Sequence, residues 1–170
     1  MKLMKDSNPT DAAVLLEAAK EDQDALRGSR LFTYEEMNGR WGLGKWRAVP
    51  RFALHQGEKV RPIDNARKGK HNDATTASDK LVLCNAAQPV IDARALAEAA
   101  ADLGIASTLA NHRLHTGGED MPNAFRTVPC STADYDVNIV GIYDPTLKQW
   151  RFQEMWALMF GCASGVTNFN

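Results

Sequence analysis

Residues whose types and spacing suggest chemistry are densest in the run Glu119-Asp120-Met121-Pro122-Asn123-Ala124-Phe125-Arg126-Thr127-Val128-Pro129. A carboxylate, Asp120, is followed four residues later by small Ala124 and five later by aromatic Phe125. A β-compatible run then closes on Pro129. In this pattern Asp120 sits at the end of a strand, Ala124 lets another chain approach, and Phe125 forms a flat wall. The same residues also read as an acidic loop before a short strand.

Charge gives a second focus. The net charge is only -1, yet Arg40, Lys45, Arg47, Arg51, Lys59, Arg61, Arg67, Lys68 and Lys70 face only Glu58 and Asp64 over that span. A basic patch on a near-neutral protein points to a polyanionic partner, with Arg47, Arg51, Lys68 and Lys70 as nucleic-acid contacts. A solvated charged hairpin is the plainer alternative. Other candidates are weaker. His112 and His115 have helical spacing but no thiol or carboxylate partners at zinc-ligand spacing. Cys130 has no adjacent histidine to activate it. Trp41, Trp46, Trp150 and Trp156 offer stacking surfaces, although core or hairpin packing suits the last two better. Asp134 and Asp136 read as loop carboxylates before a strand.

The elements that must position these residues follow from local pattern. The 170 residues, 44% hydrophobic and 24% charged, suit one globular core, whether a domain or a substantial fragment. Cys84, Cys130 and Cys162 have no paired spacing and read as reduced, intracellular thiols. No apolar run approaches the ~20 residues of a membrane span, so a soluble chain is expected. Asn8-Pro9 opens a helix running to Arg27 and ended by Gly28. Thr33 to Glu36 forms a capping box. Ala48–His55 and Lys59–Ile63 predict a basic β-hairpin across Gln56-Gly57-Glu58. Residues 66–80 read as irregular, with a turn at Asn72-Asp73. Pro89 to Leu103 has the apolar period of a helix. Val137–Tyr143 and Trp150–Gln153 predict a second hairpin, and the end is a small-residue turn entering a helix.

Three blocks together resemble the reverse transcriptases. Lys59-Val60-Arg61-Pro62-Ile63-Asp64, with Asn72 beyond, is similar to their fingers motif. Asp120 to Pro129 resembles their first catalytic motif, and Phe160-Gly161 through Phe169-Asn170 their glycine motif. The order matches, and the resemblance covers about Lys45 to Asn170. Two departures accompany it. Glu119 stands where the family carries an apolar residue, which makes Glu119 an alternative ligand. The family's Tyr-x-Asp-Asp-like turn is absent from these residues.

The resemblance implies an α+β fold with a fingers β-hairpin and a partial palm, an antiparallel sheet with packed helices. It divides the chain into a helical segment (1–44), a fingers-like region (45–110) and a partial palm (111–170). It implies RNA-directed DNA polymerase chemistry on a template-primer and deoxynucleoside triphosphates. In that chemistry two Mg²⁺ ions roughly 4 Å apart flank the transferred phosphate. Asp120 is the catalytic carboxylate and metal ligand, with the Met121 carbonyl beside it. Lys59 and Arg61 neutralise the triphosphate, Phe125 lies under the sugar and excludes a 2′-hydroxyl, and Gly161 lets nucleotide and template pass close to the backbone. Without the Asp-Asp turn and the thumb, these residues alone are expected to be catalytically incomplete, with an open sheet edge. A non-catalytic nucleic-acid-binding relic of a retroelement is the alternative.

Overall fold

The computed structural model describes residues 9–75, 87–111 and 122–163. The chain divides into two compact units, one of residues 1–78 with 123–170 and one of residues 79–122. The N-terminal helix, the basic hairpin and the second hairpin thus share one unit, a grouping that cuts across the segments 1–44, 45–110 and 111–170.

In the larger unit, α1 (Pro9–Asp24) starts at the proline and stops at Asp24, before the predicted Arg27. There the Asp22 carbonyl accepts from the N–H groups of both Arg27 and Gly28, and Leu26 takes a φ of 55°. The predicted cap, Asn8, lies outside the described residues. The capping box forms as expected and opens α2 (Tyr34–Trp41). Glu36 N donates to Thr33 Oγ1 and Thr33 N donates to Glu36 Oε2, which satisfies two otherwise orphaned helix donors. Arg30 and the Thr33 N–H hold the Glu36 carboxyl down at about 2.

Both predicted hairpins are present. β1 (Ala48–Gln56) and β2 (Lys59–Asp64) pair antiparallel across Gly57-Glu58. Gly57 supplies the positive φ that so short a hairpin loop demands. β3 (Ile139–Asp144) and β4 (Gln149–Glu154) form the second. The Asp144 carboxylate accepts from Thr146 N and Leu147 N to shape its loop.

These strands make one four-stranded sheet in the order β2-β1-β3-β4. It is mixed rather than antiparallel, because the start of β1 runs parallel to β3, with Ala48, Val49 and Pro50 beside Ile139, Val140 and Gly141. Central β3 is buried from Ile139 to Ile142, so both sheet faces are covered. On one face Ile139, Phe152 and Ala48 pack with Met37 of α2 and with Trp41, Trp46 and Trp150. On the other, Ile142 meets Leu15 and Ala19 of α1, while Val49 and Val140 meet Met155 and Met159. The free side of β4 is partly paired, since Phe32 and Phe152 exchange backbone hydrogen bonds and Ser29 N donates to the Glu154 carbonyl. The expected open edge is to that extent closed.

Two further expectations change. The run before Pro129 is a 3-10 turn over Ala124–Thr127, not a strand. Asn123, with a φ of 54°, redirects the chain, and Thr127 Oγ1 donates to the Ala124 carbonyl. Within residues 66–80, α3 (His71–Ala74) forms a single helical turn. The smaller unit holds α4 (Gln88–Asp102), close to the predicted Pro89–Leu103, and α5 (Ala106–Ala110). Val90, Ile91, Leu96 and Leu103, the apolar period of α4, are exposed.

Candidate functional site

Strand alternation decides which hairpin residues reach solvent. Residues two apart share a face, so Gln56, Lys59, Leu54, Arg61, Phe52 and Ile63 lie on one side by register. That side is open, with Phe52, Leu54, Lys59 and Arg61 all exposed. Arg51 and Asp64, a register pair, lie on the opposite side and are buried. Arg51 therefore leaves the list of nucleic-acid contacts; beneath the sheet its Nε binds Asp64 and its Nη2 binds Asp22, while its buried Nη1 finds no partner among the described residues. Arg47, Arg67 and Lys68 are exposed. Lys70 is exposed and pairs with Asp73 at 3.1 Å, and Arg40 is committed to buried Glu154.

Asp64 is the node of the larger unit. Its Oδ1 accepts from Arg51 Nε at 2.7 Å, and its Oδ2 accepts from Arg126 Nη2 at 2.8 Å and from Phe160 N at 3.1 Å. Its own N–H donates to the Phe160 carbonyl at 3.0 Å. Asp22 of α1 completes the cluster, 3.3 Å from Arg51 Nη2 and 3.7 Å from Arg126 Nε, with Arg27 at 3.4 Å. Burial alone raises the Asp64 carboxyl's pKa, but Arg51 and Arg126 outweigh it and hold it below the usual range. Both Asp64 oxygens thus accept hydrogen bonds.

The three blocks singled out in the sequence meet at this node. Asp64 ends the first, Arg126 follows Phe125 in the second, and Phe160-Gly161 opens the third. The Phe125 and Phe160 rings stand edge to face with centroids 5.2 Å apart. Arg126 Nη1 also donates to the Leu158 carbonyl at 2.9 Å. Asn72 clamps the far side, donating to the Gly161 carbonyl at 3.1 Å and accepting from Ala163 N at 2.8 Å. Gly161 has a φ of 114°, and a Cβ there would collide with the Asp64 carbonyl oxygen. The close approach predicted at Gly161 is therefore to this protein's own backbone. Gly161→Ala is expected to cost about 2–3 kcal/mol from strained φ and steric clash. Urea unfolding should register it as a lowered midpoint with an unchanged slope.

Asp120, Met121 and the alternative Glu119 lie outside the described residues, as do His112, His115 and Cys84. Trp41 and Trp46, offered as stacking surfaces, pack in the core with their indole N–H groups on Glu154 and Asn38. Asp134 ends a 3-10 turn, Thr132–Asp134, before β3. Cys162 packs against the Val49 and Val140 cluster, where burial pushes its thiol up to about 11. Sequence reasoning missed the partnership of Asp22, Arg51, Asp64 and Arg126. One signal was available: a two-residue loop between Gln56 and Lys59 sets Arg51 opposite Asp64. Nothing local marked Arg126, whose partner is 62 positions away.

No protein-family model matches the chain, and no curated protein proves detectably similar to it.

Proposed function

We propose that this chain is the fingers and part of the palm of a retroelement-type reverse transcriptase. It binds a template-primer and a deoxynucleoside triphosphate, and it contributes one carboxylate to nucleotidyl transfer. The observation that supports this most is the meeting of the three blocks at Asp64. One residue from each block, Asp64, Arg126 and Phe160, takes part in hydrogen bonds on one buried carboxylate.

The chemistry assigned to the chain's own residues is binding and orientation. Lys59 and Arg61 project from the open face of the hairpin, where cations can neutralise a triphosphate without first leaving a buried partner. Phe125 is the wall beneath the sugar, backed by Phe160. Asp120 with the Met121 carbonyl would hold Mg²⁺, which supplies charge neutralisation at the reacting phosphate.

Binding to a primed RNA template over a range of salt concentrations tests the nucleic-acid part. The parent should lose affinity steeply as salt rises, because phosphate contacts release counterions. Lys59→Ala/Arg61→Ala should weaken binding about 10-fold and flatten the log–log salt slope by about 1.5. Equal binding by parent and double variant at every salt concentration would reduce the hairpin to a solvated face. Arg51 is left intact in this test, since its loss would disrupt the fold rather than a contact.

A further inference from the structure

We infer that Arg126 is a positioning residue for sugar discrimination, tying the Phe125 wall to the end of the basic hairpin. This rests on the assignment of Phe125 to the nucleotide sugar and extends it to a residue with no contact to the nucleotide. Arg126 lies on the same 3-10 turn as Phe125, directly after it. Its side chain is almost entirely buried, and its guanidinium spends two separate N–H groups on fixed acceptors: Asp64 Oδ2 and the Leu158 carbonyl. The acceptor Asp64 Oδ2 also receives the N–H of Phe160, whose ring stands edge-on against Phe125. Arg126, next to Phe125 in the chain, and Phe160 thereby share one acceptor oxygen. That atom belongs to the strand carrying Lys59 and Arg61.

The physical need for such a tie follows from what is discriminated. A ribonucleotide differs from a deoxynucleotide by one hydroxyl. A ring that excludes it works only if held in place, since a displacement of about 1 Å can forfeit most of a positional effect. A 3-10 turn of four residues has little rigidity of its own. The planar guanidinium fork, bonded at two ends, supplies the missing constraint. Lysine has a single nitrogen and can serve only part of that geometry. Methionine keeps the stem and loses both bonds.

The test uses a polypeptide carrying these residues together with an Asp-Asp-bearing palm segment. Single-nucleotide incorporation on a primed RNA template gives kcat/KM for deoxy- and ribonucleotides. Phe125→Ala should lower the deoxy-over-ribo ratio of kcat/KM by about 100-fold, and Arg126→Met by about 10-fold. Arg126→Lys should fall between Arg126→Met and the parent. Circular dichroism and thermal melting check folding; if Arg126→Met does not fold, Arg126→Lys carries the comparison. A loss that is equal for both sugars makes Arg126 merely structural and overturns the inference. A shifted ratio in Phe125→Ala with none in either Arg126 variant also overturns it, while leaving the polymerase assignment intact. An unchanged ratio in Phe125→Ala itself removes the wall, and with it both the sugar assignment and the role of Arg126.

Discussion

Asp120→Ala is expected to abolish primer extension, by at least about 1,000-fold, in a polypeptide that joins these residues to an Asp-Asp-bearing palm. With Mg²⁺, deoxynucleotides and a primed RNA template, the parent should extend the primer. Template affinity should change by less than about twofold in the variant, because the proposed electrostatic contacts to the template belong to the hairpin. The separation of chemistry from binding is the point of the experiment. Under the proposed function Asp120 acts at the reacting phosphate, whereas Lys59 and Arg61, which are exposed, would serve polyanion binding. Glu119→Ala should do far less, since only Asp120 keeps the spacing of four to Ala124 and five to Phe125. Extension at the parent's rate by Asp120→Ala would bring down the motif assignment and the mechanism together. A parent that binds template but never extends a primer would instead indicate the non-catalytic relic.

Asp64→Ala should destabilise the larger unit by about 3–5 kcal/mol, the usual cost of removing one partner from a buried ion pair. The variant leaves fully buried Arg51 with only its longer pair to Asp22 and deprives Arg126 of its shortest ion pair. Phe160 N would also lose its side-chain acceptor. Urea unfolding at neutral pH measures the loss, and Asp64→Asn should lie between parent and Asp64→Ala because it keeps one acceptor oxygen. The pH dependence has a definite sign. The folded-state pKa of Asp64 lies below its ordinary value of 3.8. Its contribution is thus present above that value and is lost as pH falls through the lower, folded value. The parent should therefore lose stability on acidification below about 4 more steeply than Asp64→Asn. Parallel acid titrations of the two proteins would show that Asp64 stabilises no more than an amide does.

What the sequence by itself determined is what local physics controls. The capping box at Thr33 and Glu36 is a four-residue interaction, and it forms as written. Both hairpins follow from alternation around turn residues, and α4 follows from its apolar period behind Pro89. The small residue at Gly161 announced a close approach by template and nucleotide, which nothing in the structure tests. What approaches it, the Asp64 carbonyl, was not announced. Tertiary structure decided which face of each element is covered. Arg51 and Arg61 are both strand cations, yet packing on the α1 side buries Arg51 beside Asp22, while Arg61 stays in water. The parallel pairing of β1 with β3 joins segments about ninety residues apart and has no local signature. Arg126 is the clearest case. Read along the chain it is one more surface arginine. It becomes the tie between a turn, a strand end and residues 158–160 only because folding buries two carboxylates that need its charge. Periodicity sets which residues share a face, but a buried charge's partner is chosen by the whole fold, since leaving it unpaired costs more than any local preference supplies.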